Sequence, residues 1–315
     1  MDGARPKESP TPSVVVILGP TATGKSAVAI EVALQLGGEV ISADSRAFFR
    51  GLDIATDKPS CSARCGVAHH LFDVVAIDGN YDAMAFRRDA DRAIREIGER
   101  EHVPIVVGGG TLYLGALLRG LFPGPSADTA LRNELAERPS SELYERLCAV
   151  DPESAAKIHP HDRLRIVRAL EVHELTGQPI STLQKGSRPL PCRFSCFGLR
   201  RAKSDHRAAI AARVDRMLER GLVAEVTRLR QEGLRRDHQA YRTIGVREVF
   251  DYLDGKLTLA RLREILINHT WTLVRRQKAW FQNEKDVLWI DVTGRTPNAI
   301  ADEILAGLSD GLKQG

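Results

Sequence analysis

Apolar residues at the start of the chain form two consecutive patterns of different period. Residues 14–18 are a continuous run of valine, isoleucine and leucine, which is typical of a buried parallel strand. Farther along, Val28, Val32 and Leu36 recur at every fourth position, the spacing of a helix with one buried face. These patterns predict a strand that is followed, after a short loop, by a helix.

The alternation continues through the first 120 residues. Apolar runs predict strands at 39–43 and 103–107, and a helix is predicted at about 82–100. Because strands that alternate with helices across short loops pair in parallel, the pattern predicts an α/β fold, a parallel sheet covered by helices.

The helical periodicity after residue 120 predicts an inserted subdomain and a helical C-terminal part. A Pro-Gly-Pro turn precedes leucines on helical spacing, and apolar strand patterns return only at 194–199 and 287–290. The predicted divisions are a disordered N-terminus at 1–12, the core at 13–120, a helical insert at 121–190, and a return to the core with a basic helical segment at 191–315.

Composition indicates a globular protein of the cytoplasm. Of 315 residues, 43% are hydrophobic and 27% charged, and no apolar run approaches the ~20 residues of a membrane helix. The polar start of the chain contains no signal-peptide pattern. Five cysteines are an odd number and favour free thiols in a reducing compartment over disulfides or a zinc site. We expect a monomer that does not contact membranes.

Positive charge is concentrated in one segment. Residues 200–278 contain 19 Lys and Arg against 10 Asp and Glu, whereas the whole chain has a net charge of only +4. Such a segment is expected where a protein binds a polyanion such as nucleic acid. Solvated arginine-rich helix faces are the alternative.

A phosphate-binding loop, the P-loop, joins the first strand to the first helix. It has the complete G-x-x-x-x-G-K-[ST] pattern, formed by Gly19, Pro20, Thr21, Ala22, Thr23, Gly24, Lys25 and Ser26. In such loops backbone N–H groups and the helix N-terminus bind phosphate oxygens, the lysine reaches the terminal phosphates, and the serine hydroxyl can hold Mg²⁺. The pattern predicts binding of a diphosphate or a polyphosphate, with Ser26 as a metal ligand.

One carboxylate is predicted to face this loop. Asp44 follows the strand at 39–43, and the carboxyl ends of parallel strands lie at the same edge of a sheet. Asp44 could hold Mg²⁺, as in a kinase, or act as a general base for a reacting nucleophile. As a structural alternative, its side chain could cap the following turn.

These motifs resemble those of the tRNA dimethylallyltransferases. The resemblance spans nearly the whole chain in a consistent order. The matching segments are residues 19–26, 44–45, 49–54, 57–59, 69–71, 107–109, 165, 168–172, 176–177, 244–245, 276–277 and 280–281.

The resemblance implies a reaction and a set of contacts. The family transfers a dimethylallyl group from dimethylallyl diphosphate to the exocyclic N6 of the adenosine just 3′ of certain anticodons, and releases diphosphate. By resemblance the P-loop holds the diphosphate, Asp44 is the general base, and the partner is the anticodon stem-loop of tRNA. The implied tRNA-contacting positions are Asp44, Ser45, Arg46, Ala47, Gly110, Arg132, Leu164, Arg165, Ile166, Val167 and Arg168.

The chain departs from the family pattern at several positions. Ala47 and Phe49 replace the usual glutamine and tyrosine, and a third glycine, Gly110, stands where the family has threonine. Because three glycines give a loop backbone freedom, we expect the next residue, Thr111, to act as the second catalytic residue. If Thr111 takes this role, we expect restoration of the family order by Gly110→Thr with Thr111→Gly to be tolerated or beneficial.

Transfer to tRNA is the function that these observations favour. The basic segment and the helical insert have no purpose in the closest alternative, an enzyme that prenylates a free adenine nucleotide. A small-molecule kinase and a tRNA-binding protein without activity are further alternatives. A kinase is disfavoured because no second strand ends in an obvious Mg²⁺ ligand.

Overall fold

Six parallel strands form in residues 11–312, the part of the chain that the computed structural model describes. The strands predicted at 14–18, 39–43 and 103–107 are confirmed, and their ends differ by one residue. Residues 1–10 of the predicted disordered N-terminus lie outside the described part. The strands are β1 (Ser13–Leu18), β2 (Gly38–Ser42), β3 (His69–His70), β4 (Val103–Gly108), β5 (Arg193–Arg200) and β6 (Val287–Asp291).

Thirteen α-helices occur in the same described range. They are α1 (Lys25–Leu36), α2 (Ala83–Glu99), α3 (Thr111–Leu118), α4 (Thr129–Glu137), α5 (Ser140–Val150), α6 (Pro152–Ala155), α7 (Arg163–Thr176), α8 (Ile180–Gln184), α9 (Lys203–Glu219), α10 (Leu222–Gln231), α11 (Val246–Leu253), α12 (Leu259–Phe281) and α13 (Pro297–Leu312).

The order of the strands places the P-loop at a switch point. Across the sheet the order is β3-β2-β4-β1-β5-β6, so β1 pairs with β4 on one side and with β5 on the other. From β1 the chain moves to the β2 side, and it returns to the β5 side only after β4. Parallel sheets bind ligands in the crevice at the carboxyl ends of strands where the connections change direction.

Apolar packing explains why the sheet and its helices form. Val28 and Val32 of α1, together with Ile304 of α13, join a buried cluster with sheet residues that include Val15 and Ile105. The helical period noted in the sequence therefore marks the face of α1 that packs on the sheet. Burial of each such aliphatic side chain contributes about 1.5–3 kcal/mol to folding.

The chain divides into two compact units. The core unit comprises Met1–Leu114 and Pro191–Gly315, and the helical unit comprises Gly115–Leu190. The helical unit has its own buried cluster, which includes Leu143 and Leu147 of α5 and Leu170 of α7. A separate apolar core is the property that lets a unit of this size hold its own structure.

The structure also bears on membrane spans, cysteines and metal ligands within residues 11–312. In this range no helix combines the length and the apolar character needed to span a bilayer. All five cysteines are free thiols. No group of three or more His, Cys, Asp and Glu side chains in the described residues could hold a metal ion.

Candidate functional site

The P-loop is held in shape by its own contacts. Gly19 has a φ of +148°, and a Cβ there would lie 2.5 Å from the carbonyl oxygen of Leu199 on β5, so only glycine fits. The Pro20 carbonyl oxygen accepts hydrogen bonds from Thr23 Oγ1 at 2.9 Å and from Lys25 Nζ at 2.7 Å. The Thr23 hydroxyl is therefore a structural group, whereas the Lys25 ammonium rests on a carbonyl that a phosphate oxygen can replace.

A cavity of about 490 Å³ opens beside the P-loop in the core unit. Lys25, Ser26 and Asp44 all line it, as the sequence predicted for a common crevice. The lining contains both basic and apolar side chains. The further basic side chains are Lys58, Arg201, Arg213 and Arg216, and the apolar ones include Ile30, Ala47, Pro59, Ala63 and Phe72. This arrangement suits a ligand with an anionic head and a short apolar tail.

Asp44 both caps a turn and presents an oxygen to the cavity. Its Oδ1 accepts the backbone N–H of Arg46 at 2.9 Å, so the structural role weighed for this residue is real. In the described part of the chain, no donor bonds its other oxygen, Oδ2. The cap orients the carboxylate and leaves one oxygen for chemistry, so the structural and catalytic roles are compatible.

The three residues that follow Asp44 have different environments. Ala47 is buried and lines the cavity. The Arg46 guanidinium donates from Nη1 to the Gln239 carbonyl oxygen at 3.0 Å, and its burial lowers the pKa of Arg46. Ser45 is partly exposed. Ser45 and Arg46 are thus both partly accessible to a partner, whereas Ala47 is buried.

The Lys25 ammonium is destabilised by its burial in the site. Burial is the main cause that lowers the pKa of Lys25 to about 7; the Arg213 charge lowers it further, while the Asp44 carboxylate opposes both. A bound polyanion favours the charged lysine, so it raises this pKa. Binding of diphosphate should therefore take up a proton when the pH is above 7.

We expect the affinity for inorganic diphosphate with Mg²⁺ to be about tenfold lower at about pH 8 than at about pH 6. Above its pKa of about 7, Lys25 must be protonated at a cost before it can pair with the ligand. The control is Lys25→Arg, which stays charged throughout this range. Titration calorimetry of both proteins separates the lysine from the ligand's own ionisation, and parallel pH profiles would contradict the prediction.

The sequence did not identify the basic side chains that α9 contributes to the cavity. Arg213 is held by Asp57, with Nε 3.6 Å from Oδ2, and it donates to the Thr56 carbonyl oxygen at 3.3 Å. Arg216 lies one helical turn later on the same lining. No motif marks these residues, and the only signal was their place in the basic segment.

The three glycines after β4 are required by packing, which contradicts the expected backbone freedom. A Cβ at Gly108 would lie 2.6 Å from the Ala43 carbonyl oxygen, and one at Gly110 would lie 2.5 Å from it. The exchange Gly110→Thr with Thr111→Gly therefore clashes with the backbone next to Asp44, and the expectation that it is tolerated was wrong. Thr111 itself is the first residue of α3, and it is not among the cavity-lining residues of the described chain.

In the helical unit, two arginines implied as tRNA contacts bind a buried carboxylate. Glu171 is fully buried and accepts from Arg132 Nε at 2.8 Å and from Arg168 Nη1 at 2.6 Å. Burial alone would raise the pKa of Glu171, but these hydrogen bonds and one from the Asp128 backbone hold it below its usual value. Both arginines therefore have a structural role.

In the stretch from Leu164 to Arg168, two exposed residues are followed by two buried ones. Leu164 is 83% exposed and the Arg165 side chain 72% exposed, which suits contact with a partner. Ile166 and Val167 are buried among the residues of the helical core. Their side chains cannot form the tRNA contacts implied by resemblance, because they face the inside of their own unit.

Comparison with known proteins identifies the family. A family model described as IPP transferase matches residues 47–284. A tRNA dimethylallyltransferase of Geobacter sulfurreducens is 42% identical over 284 residues, which cover 88% of this chain and 91% of that protein. One from Pelotomaculum thermopropionicum is 40% identical over 297 residues, 92% of this chain and 95% of that protein.

Solved structures agree with these matches. The tRNA isopentenylpyrophosphate transferase of Bacillus halodurans superposes with a TM-score of 0.72 at 34% identity, over 96% of this chain and 97% of that one. A eukaryotic dimethylallyltransferase acting on tRNA gives a TM-score of 0.78 at 27% identity, over 90% of this chain and 75% of that one. With the P-loop, Asp44 and the cavity between them in place, the chain belongs to the tRNA dimethylallyltransferase family of prenyltransferases.

Proposed function

We propose that the protein transfers a dimethylallyl group from dimethylallyl diphosphate to N6 of the adenosine 3′ to the anticodon in tRNA. One observation carries the proposal: a single cavity is lined by the P-loop, by apolar side chains and by the Asp44 carboxylate. These are the three environments that a diphosphate, a prenyl tail and an attacking amine require.

The diphosphate is held by the P-loop and the basic side chains around it. Lys25 exchanges the Pro20 carbonyl for a phosphate oxygen, and Arg213 lies close enough to affect the pKa of Lys25. As the bond between C1 and the diphosphate oxygen breaks, negative charge grows on the leaving group. Fixed cations beside it stabilise this charge more than they stabilise the intact donor, which lowers the barrier.

Asp44 removes the proton from the attacking amine. The lone pair of an adenine amine is delocalised into the ring, so the amine is a weak nucleophile until its proton is accepted. Asp44 Oδ2 takes this proton while the bond between N6 and C1 forms. The adenine must leave the stacked anticodon loop to reach the cavity, so the reaction implies extrusion of the base.

The residues at the P-loop also fit Mg²⁺. Ser26 is exposed at the start of α1, lines the cavity, and offers a hard oxygen ligand that can act together with phosphate oxygens. Such an ion neutralises part of the diphosphate charge. We propose Ser26 as its protein ligand.

We expect Thr111→Ala to lower transfer at least about tenfold, equivalent to about 1.4 kcal/mol of transition-state stabilisation. Thr111 immediately follows the glycine loop that packs on Ala43, the residue that precedes Asp44. Thr111→Ser, which keeps the hydroxyl, should retain activity. If both variants turn over like the wild type in single-turnover assays, Thr111 only begins the helix.

Both units, each considered by itself, have basic side chains suited to RNA. In the core unit, the Arg207 guanidinium lies 4.9 Å and the Lys278 ammonium 5.8 Å from the ring centre of Trp271. Arg207, Lys278, Arg275 and Arg276 form no ion pair with a carboxylate of the described chain. Cations beside a partly exposed aromatic ring suit nucleic acid, which favours RNA binding over merely solvated helix faces. In the helical unit, Arg165 is the corresponding exposed cation.

We expect Arg165→Gln and Arg275→Gln each to reduce the slope of log affinity for tRNA against log salt by about 0.7–1. Each phosphate contact releases about one condensed counterion, and the slope counts the ions released. The loss of one contact therefore lowers the slope by about one. The matched control is Arg263→Gln on the same helix as Arg275, because Arg263 is paired with Asp215 at 2.5 and 2.8 Å. Equal slopes for all four proteins would exclude both contacts.

Incubation with labelled dimethylallyl diphosphate tests the reaction directly. Bulk tRNA, AMP and ATP are offered separately with Mg²⁺, and the expected result is label in tRNA adenosine alone. Label in AMP would establish the free-nucleotide reaction, and phosphorylation without prenyl transfer would establish a kinase. Sedimentation of the same protein tests the expected monomer.

A further inference from the structure

Two buried side chains hold the backbone of one P-loop residue from opposite sides. The Thr21 N–H donates to Gln277 Oε1 at 2.9 Å, and the Thr21 carbonyl oxygen accepts from His206 Nε2 at 2.7 Å. Gln277 belongs to α12 and His206 to α9, and both are at least nine-tenths buried. Neither lines the cavity in the described chain, so neither is placed to touch the diphosphate.

The hydrogen bond to Thr21 determines which ring nitrogen of His206 is protonated. A carbonyl oxygen can only accept, so Nε2 of His206 carries the proton. Burial lowers the pKa of His206, which favours the neutral ring, and the ring also packs edge-on against Trp271. His206 is thus a fixed hydrogen-bond donor to the P-loop.

Gln277 joins the P-loop to the glycine loop after β4. While its Oε1 accepts from Thr21, its Nε2 donates to the Gly109 carbonyl oxygen at 2.8 Å. A Cβ at Gly109 would lie 2.6 Å from this nitrogen, so glycine is needed there to admit the amide. One side chain therefore sets the spacing of the loops that follow two neighbouring strands.

Ala22, the residue after Thr21, has an unfavourable backbone conformation. Ala22 has a φ of +65°, a left-handed conformation that is unfavourable for a residue with a Cβ. Ala22 and Gly24 line the cavity, so this conformation directs the anion-binding backbone. Strain of this kind persists only where the surrounding contacts impose it.

We propose that Gln277 and His206 are positioning residues that together hold Thr21, so that Ala22 keeps its left-handed conformation and the P-loop stays ready for the diphosphate. Their effect on prenyl transfer rests on the proposed function. Their effect on diphosphate binding does not.

The test measures binding of inorganic diphosphate with Mg²⁺ by calorimetry, at a pH where Lys25 is charged. Gln277→Met keeps the length of the side chain and removes both hydrogen bonds, and His206→Phe keeps the ring against Trp271 and removes one. We expect each to weaken binding at least about tenfold. His206→Gln, which retains a donor of similar reach, should bind more tightly than His206→Phe.

A rescue distinguishes positioning from general loss of stability. Val274→Ala, in the buried face of the same helix as Gln277, is the control for destabilisation and should bind diphosphate normally. Adding Ala22→Gly to Gln277→Met should restore part of the affinity, because glycine adopts the left-handed conformation without cost. In transfer assays, Gln277→Met should raise KM for dimethylallyl diphosphate more than it lowers kcat.

The outcomes separate this inference from the proposed function. Normal diphosphate binding in Gln277→Met and His206→Phe, or a loss no greater than in Val274→Ala, would overturn it. So would a double variant no better than Gln277→Met alone. If the wild type transfers no prenyl group while the binding results are as expected, the proposed function fails and the positioning role stands. Should Gln277→Met not fold, His206→Phe tests the support of Thr21 through its carbonyl oxygen.

Discussion

Replacing Asp44 by asparagine is expected to slow dimethylallyl transfer by a factor of about 10²–10⁴, the usual cost of losing a general base. The amide keeps the shape of the side chain and can still accept the Arg46 backbone N–H through its oxygen, so the turn remains capped. Only the ability to take a proton from the adenine amine is lost. Single-turnover assays with saturating donor and tRNA measure the effect.

The binding of diphosphate distinguishes a base from a metal ligand. Because the Asp44 charge supports the ammonium of Lys25, its removal lowers the pKa of that lysine further. Calorimetry should therefore be done at the lowest pH at which both proteins stay folded, so that Lys25 is charged in each, and binding should be nearly normal there. Asp78→Asn, an exposed change outside the cavity, is the control. Parallel loss of Mg²⁺-diphosphate binding and of transfer would assign Asp44 to the metal instead.

Arg132→Ala is expected to lower the free energy of unfolding by about 3 kcal/mol. Glu171 is completely buried, and Arg132 supplies two of its hydrogen bonds, at 2.8 and 2.9 Å. Without this arginine the carboxylate remains buried with Arg168 as its main cationic partner. An uncompensated buried charge costs more than an exposed arginine that has lost its carboxylate, because water can solvate the arginine. Urea denaturation measures the change.

Arg165→Ala is the matched control for this experiment. Its side chain is mostly exposed, and its contact with Asp162 is 3.4 Å long on the same helix, so we expect a change within about 0.5 kcal/mol. The two positions should therefore differ in effect. Replacing Arg132 should lower the stability of the protein, whereas replacing Arg165 should change the salt dependence of tRNA binding. An Arg132→Ala protein with wild-type stability but weak tRNA binding would reverse the assignment.

Local patterns were sufficient to predict the elements that form the site. The P-loop, β1 and α1 are contiguous, and their apolar spacing together with the glycine-lysine-serine pattern determines the backbone over about 25 residues. Asp44 could be predicted for the same reason, since it ends a strand of a parallel sheet. The helix N-cap at Asp162 and the C-cap at Gly177 likewise act within one turn. Interactions over such short separations are visible in a single sequence.

The sequence by itself determined the family, the parallel sheet, and the P-loop and Asp44 that line the same cavity. Only the tertiary structure decided what surrounds them. Gln277 reaches Thr21 across 256 positions, and His206 reaches it across 185. The need for glycine at Gly110 depends on how closely the Ala43 carbonyl approaches it. Such contacts depend on the packing of elements from distant parts of the chain. Local residue spacing and helix or strand propensity do not encode how closely those elements approach each other.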